Sequence, residues 1–459
     1  MLLTLKKRSY KLTIILTITL GVIFTSRVFA VSEITEINKR LVKTSFTTEL
    51  PSLNNMELDQ FILGKSFFKV PWVASPSVTT ARDGLGPLFN ANTCINCHKQ
   101  NGRGKVFHSN ESVSRSNIIK LSILSNKSPK HKKQKRLFGF VKEPSYGSQI
   151  NINGISNVDF EAKPNINYTK IKFTYPDGKE VILSKPILKM TQLNYGNLHE
   201  KSILSARIAQ PLIGLGLVEQ ISDEQILQNE DILDANSDGI SGKANRIWSK
   251  ENNKIEIGRY TWKASISTVK NQVANAALND MGLTNPIYKI DNCTQIQKTC
   301  IDAPKGKGDF DLPEKRLEAI TFYLTHLKIP KRKKIDNDDE KLFNDVGCSG
   351  CHKANYDLPN NQRIYPYSDF LLHDMGESLS DNRKEFDADG KEWRTAPLWY
   401  LSNTSSILGE DKNYLHDGRA KTIEEAILWH GGEANISKKL FTNLSQANRL
   451  KVINFVNQI

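Results

Sequence analysis

Cysteine and histidine are both scarce in this chain, six and nine among 459 residues, and methionine is scarcer still at five. With so few thiols, no second cysteine pair stands near any first one, which excludes a zinc module built on four cysteines. After the first thirty residues there is no run of ~20 apolar side chains of the kind that spans a bilayer as a helix. Apart from one short motif there is no internal repeat, and there is no low-complexity tract. An apolar content of 39% excludes a disordered chain, and the length allows two or three ordinary domains.

What is present begins with cysteine. Four of the six fall in two copies of one pattern, Cys94-Ile95-Asn96-Cys97-His98 and Cys348-Ser349-Gly350-Cys351-His352. Two complete C-x-x-C-H matches do not arise by chance when both residue types are this rare. Two thiols one helical turn apart can each add to a haem vinyl group, while the adjacent imidazole turns under the ring to ligate iron. A thioredoxin dithiol would want a βαβ setting and zinc a further cysteine pair, and neither context is there. The motifs therefore predict two covalently bound haems c, with His98 and His352 as iron ligands. Cys293 and Cys300 enclose six residues, and an oxidising compartment predicts a disulfide between them. So small a loop contributes on the order of 2.5 kcal/mol in the chain-entropy model, and a redox-active dithiol is the alternative.

The N-terminus reads as an export signal over residues 1–30. Lys6, Lys7, Arg8 and Lys11 precede an apolar run from Leu12 to Phe24, and Val28-Phe29-Ala30 resembles a cleavage site. The expected location is the periplasm, as a protein not integral to the membrane once the signal is removed; an uncleaved anchor is the alternative. Of the formal charge of +14, five positive charges lie in the signal, leaving about +9. The densest basic runs, Lys127–Arg136 and Pro330–Lys334, lack interleaved aromatics and any nucleic-acid-binding motif, so they read as solvated loops and no nucleic acid is expected. They can also serve as a landing surface for an acidic electron donor.

Each haem motif is expected to nucleate its own helical unit. A helix beginning near Asp311 and Pro313 presents Leu317, Ile320, Leu324 and Leu327 on one face and stops at Pro330. The charged stretch Lys331–Glu340 then divides an N-terminal region (31–330) from a C-terminal one (331–459), whose last helix starts near Ser445 with Leu450, Ile453 and Val456 or Phe455 inward. Asn165–Leu183 reads as a β-hairpin around Pro176-Asp177-Gly178. The fold expected is thus mainly α: two cytochrome c-like haem domains, the first enlarged by an insertion containing a small hairpin or sheet. Asp234, Asn236 and Asp238 with Gly239 have the opening spacing of a calcium loop, but Asn245 stands where a bidentate Glu belongs, so calcium and a plain Asx-rich turn are both open.

Several longer motifs, LGPLFNANTCINCH (85–98), PLIGLGLVE (211–219), DGISGKANRIW (238–248), LLHDMG (371–376), EWRTAPLW (392–399) and LHDGRAKTIEEAILWHGGEA (415–434), resemble the di-haem oxidoreductase family. Its members are also described as thiol oxidoreductases. That family is similar to bacterial di-haem cytochrome c peroxidases and to the methylamine dehydrogenase maturation enzyme. The resemblance implies one electron-transfer haem, fed by a small redox protein, and one reactive haem where peroxide or an unknown substrate binds. It implies the distal ligand of the electron-transfer haem eight residues beyond the Thr that opens a Thr-Leu-Glu-Glu-Ala-like helix, here Thr422 and so His430, with Met375 and His373 as rivals. His416 matches a turn expected to meet a propionate. For the reactive haem it implies Trp262 between the haems and Gln272 at the open face. The Asp-Gly-Arg that follows the Trp in the peroxidases is replaced by Lys263-Ala264-Ser265. The peroxidase Glu ten residues beyond the Gln falls on Gly282, leaving Asp280 as the substitute acid-base group, or Met281 as a sixth ligand that closes the site. A pure electron-transfer cytochrome with no substrate site is the other reading.

Overall fold

The computed structural model describes residues 46–459 apart from 107–113, 331–334 and 410–411. The export signal, its cleavage site and the basic residues 331–334 lie outside the described residues. The architecture is mixed, 30% helix and 20% strand, which corrects the mainly α expectation. The strands form seven separate two-stranded sheets among the described residues. Most are too short to leave an alternating pattern in the sequence, and one of the longer pairs joins segments some eighty residues apart.

In chain order, α1 (Asn55–Lys69) is opened by a capping box in which Asn54 and Glu57 exchange hydrogen bonds. It buries Phe61, Phe67 and Phe68. Strand β1 (Asn117–Ile123) precedes α2 (Pro129–Phe138). The expected hairpin is β2 (Lys163–Thr174) with β3 (Glu180–Thr191), in unbroken register from Lys163↔Thr191 to Thr174↔Glu180. Strand β4 (Ser202–Ile208) returns to pair antiparallel with β1. After β5 (Arg246–Ser249) and β6 (Lys254–Ile257) comes α3 (Val269–Met281), capped by Thr268 and ended by Gly282 at φ +69°. Helix α4 (Glu314–Thr325) crosses α1 so closely that a Cβ on Gly64 would sit 1.9 Å from the Ala319 carbonyl oxygen. The C-terminal part holds α5 (Asn337–Asp345), the β7 (Leu372–Asp374) and β8 (Glu392–Arg394) pair, α6 (Ile423–Trp429), α7 (Asn435–Asn443) and α8 (Gln446–Gln458).

Two local expectations change. The basic run at 127–136 is a helix rather than a loop, because Ser128 caps it, Pro129 suits its first turn and Gly139 at φ +80° stops it. In α8 the inward face is Arg449, Val452, Phe455 and Val456, whereas Leu450 is 48% exposed. Arg449 displaces the face because its guanidinium lies 3.9 Å from the Tyr175 ring and pairs with Asp177 at the hairpin tip. Tyr175 and Lys179 from the same tip bond Glu424 of α6 at 3.0 and 2.7 Å. The insertion is thus pinned to the C-terminal helices, and one apolar core runs from Phe61 through Trp262 and Phe370 to Ile459. Cys293 and Cys300 form a disulfide, and Cys300 packs with Leu88 and Val158.

Candidate functional site

The two C-x-x-C-H motifs fold alike. Each is a single 3-10 turn, Cys94–Asn96 and Cys348–Gly350, and in each the histidine N–H donates to the first cysteine's carbonyl at 3.0 Å. The imidazoles are oriented in the same way, since His98 Nδ1 bonds the Gln210 carbonyl and His352 Nδ1 the Tyr367 carbonyl, both at 2.8 Å. That fixes the tautomer with the proton on Nδ1 and leaves Nε2 as the basic nitrogen, the arrangement of a metal-ligating histidine. Burial pushes the Cys94 and Cys348 thiols up to about 12, opposite to the depressed values of reactive dithiols.

Helix α6 begins at Thr422, whose side chain accepts from Glu425 N, and ends on His430. His430 Nδ1 bonds the Ala426 carbonyl at 2.7 Å, so its Nε2 too is the free nitrogen. Burial first, with repulsion from His430 also contributing, pushes His352 down to about 4. His373 is differently placed. Its Nε2 meets Asp369 at 2.8 Å and its Nδ1 meets Glu433 at 2.7 Å, which leaves no nitrogen for a metal. Glu433 also accepts from Ser241 and Asp374, so the DGISG, LLHDMG and WHGGE motifs converge on one carboxylate. Close packing there needs glycine: a Cβ on Gly432, at φ +55°, would stand 2.1 Å from the Asp374 carbonyl oxygen. Met375 is half-buried beside this loop.

Around His98 lies a cavity of about 730 Å³, walled on one side by α3. Gln272, Ala276 and Asp280 fall at i, i+4 and i+8 of that helix, so they share a face. Gln272 Oε1 is buried and without a hydrogen-bond partner among the described residues. Asp280 accepts from Gln149 Nε2 at 2.8 Å, and Gln149 Oε1 accepts from Lys120 Nζ at 2.6 Å. Burial lowers Lys120 to about 8, with Asp280 opposing the fall. Position 282 has no room for the peroxidase Glu, because Gly282 packs against Gly86 with a Cβ placed 2.6 Å from its Cα. Met281 also lines the cavity but is sunk in the apolar core. Trp262 stands where the lining passes to C-terminal residues: its carbonyl accepts from Arg394 N at 2.9 Å and Arg103 covers its ring. Lys120 and Gln149 lie in no sequence motif, and although Glu433 lies in one, nothing in that motif marks it as the shared carboxylate.

The residues present fit haem. Arg103 and Arg394 are buried in this lining, and among the described residues their guanidiniums donate to amide and backbone oxygens rather than to carboxylates, which suits two carboxylates of a bound group. Next to His430 in the chain, Trp429 Nε1 is buried and unpartnered among the described residues. A family model described as "Di-haem oxidoreductase, putative peroxidase" matches residues 30–459. The chain belongs to the di-haem oxidoreductase family. No curated protein matches it. Among solved structures, a hydrazine synthase chain from Kuenenia stuttgartiensis, studied under xenon pressure, is similar at 17% identity over 38% of this chain and 65% of that one, with a TM-score of 0.24. This chain therefore spans less than two thirds of that chain's length.

This di-haem oxidoreductase also buries a charge network. Arg207 bonds Asp381 at 2.8 Å and Glu385 at 2.6 Å, Lys263 reaches Asp381 at 3.1 Å, and Trp393, with its ring under Lys263 and Arg207, stacks on His416 at 3.7 Å. Burial pushes His416 down to about 3. Burial alone would raise Glu385, but Arg207 and Arg383 outweigh it and hold it at about 2. Unfolded histidine takes a proton near pH 6.5, whereas folded His416 stays neutral to about 3, so stability falls as pH drops from about 6.5. Glu385 adds stability above its unfolded value of about 4 that is lost as pH falls towards 2. A melting temperature that declines from pH 6.5 to 4.5 in the wild type and less in His416→Gln is expected. Equal slopes would refute a neutral buried His416. The Asp234, Asn236 and Asp238 side chains are spent on N–H groups of their own turn, and Asn245 points away to the Lys263 and Glu385 carbonyls at 2.7 and 3.0 Å.

Proposed function

We propose that the chain is a periplasmic di-haem c-type oxidoreductase with peroxidase-like chemistry, exported by the signal at 1–30. Cys94, Cys97 and His98, in the unit 31–330, would hold one haem. Cys348, Cys351 and His352 would hold the other in the unit 331–459, with His430 as a further ligand. The observation that carries the reading is the inequality of the two motifs: His352 has a second imidazole, His430, within electrostatic reach, while His98 faces a cavity with the Asp280 carboxylate and a Gln272 oxygen unpartnered among the described residues. A haem held there would supply one-electron redox chemistry towards peroxide. The chain's own residues do the rest. His98 and His352 bind through Nε2 and are oriented by carbonyls; Gln272 orients the substrate, and Asp280 moves its proton, backed by Gln149 and Lys120. Electrons from a small redox protein arrive on the His352 side and pass the Trp262 seam.

Haem staining after denaturation should report two covalent haems per chain and one in the Cys94→Ser/Cys97→Ser double variant. Spectra of the oxidised and half-reduced protein should show one low-spin haem and one that is high-spin or opens on half-reduction. Two permanently low-spin haems that ignore peroxide would sink the enzyme reading in favour of a simple carrier.

A further inference from the structure

The cavity beside His98 continues past the last residues of α2 to an opening marked by the exposed Lys289 and Ile290. Phe138, Phe140, Trp248 and Tyr288 line this stretch, and two half-buried ammonium groups stand among the rings. Lys250 Nζ lies 4.2 Å from the centre of the Phe138 ring and 4.5 Å from that of Tyr288, and Lys142 Nζ lies 4.7 Å from Phe138. Aromatic faces attract cations, but they do not cancel the mutual repulsion of two of them. Among the described residues neither amine is paired with a carboxylate, and Lys250, lowered to about 8 by burial and then by Lys142, feels no offsetting anion. Other cations of the cavity differ in this respect, since Arg207, Arg259 and Arg383 are paired with Asp381, Asp223 and Glu385. Outside the opening, α2 exposes Lys130, Lys132, Lys133, Lys135 and Arg136, a field that raises the local concentration of anions.

We propose that this mouth is a subsite for a small organic anion with a flat, aromatic body. Its carboxylate is taken by Lys142 and Lys250, and its ring is stacked among Phe138, Trp248 and Tyr288. The assignment rests on the reading that the inner cavity holds the first haem, which would then stand beside the bound anion. Two unpaired amines on a shared ring explain the charge, and the ring wall explains why a flat body is favoured over a bare inorganic ion.

Calorimetric titration of the full haem-bearing protein with benzoate should show binding at least about tenfold tighter than benzamide, weakening as salt is raised. In Lys142→Met/Lys250→Met the preference for benzoate should vanish. A second measurement needs no variant: acetylation of the native protein, mapped by mass spectrometry, should modify Lys250 readily and be suppressed by benzoate. Equal affinity for benzoate and benzamide, unchanged benzoate binding in the double variant, or unprotected Lys250 each overturns the proposal. Haem content and spin state, read on the same sample, report separately on the haem assignment.

Discussion

His430→Ala should convert the second haem from a low-spin, two-imidazole form to a high-spin or weakly ligated one, with the first haem's spectrum unchanged. The expectation rests on which nitrogens are free. His430 keeps Nε2 unbonded because Ala426 takes Nδ1 at 2.7 Å, and its ring is near enough to His352 to contribute to that residue's depression. His373, the rival imidazole, is held at both nitrogens by Asp369 and Glu433; burial opposes its protonation, but those two carboxylates outweigh burial and raise its affinity for a proton. A protonated imidazole is no ligand. His430→Met should instead keep the haem low-spin and raise its potential, since a thioether stabilises the reduced iron relative to a second imidazole. An absorption spectrum unaltered by His430→Ala would refute the assignment and point to Met375.

The haem motifs, the hairpin and the Cys293–Cys300 pairing were legible because each is a local pattern, a fixed spacing or a turn, whereas the Thr422-to-His430 helix came through the family resemblance. The β1–β4 pairing was not, since Asn117–Ile123 and Ser202–Ile208 find each other across the hairpin insertion and neither alternates strictly. The mainly α expectation failed for the same reason. At the site, the sequence named Gln272 and Asp280 through a spacing carried over by resemblance, but it had no means of naming Lys120 or Gln149. They come from other segments, and only the folded chain brings them to α3. The Glu433 hub shows an intermediate case. Its three contributing loops were visible as motifs, yet nothing in any one of them says that they share a carboxylate.

Asp280→Asn should lower peroxide turnover by on the order of 10²–10⁴-fold, the usual worth of a positioned acid-base group, with haem content and resting spectra preserved. Asparagine is nearly isosteric and its Oδ1 can keep the hydrogen bond from Gln149 Nε2, now 2.8 Å from the carboxylate, so packing should survive. What is lost is the proton site and a negative charge. That charge favours protonated Lys120, against burial, so its removal should lower the lysine further from about 8. The pH at which activity falls on the alkaline side should then move down in Asp280→Asn, whatever the residual rate. The alternative roles separate cleanly. If Met281 instead closes the site, the wild type has no peroxide turnover to lose, and Met281→Ala should create an open, high-spin haem. If turnover is present and survives Asp280→Asn but not Lys120→Met, the proton is moved by the amine and Asp280 merely holds Gln149 in place. A resemblance alone nominated Asp280; its position one face-repeat beyond Ala276, with Gly282 barred to any side chain, is what makes it the carboxylate that helix α3 can offer.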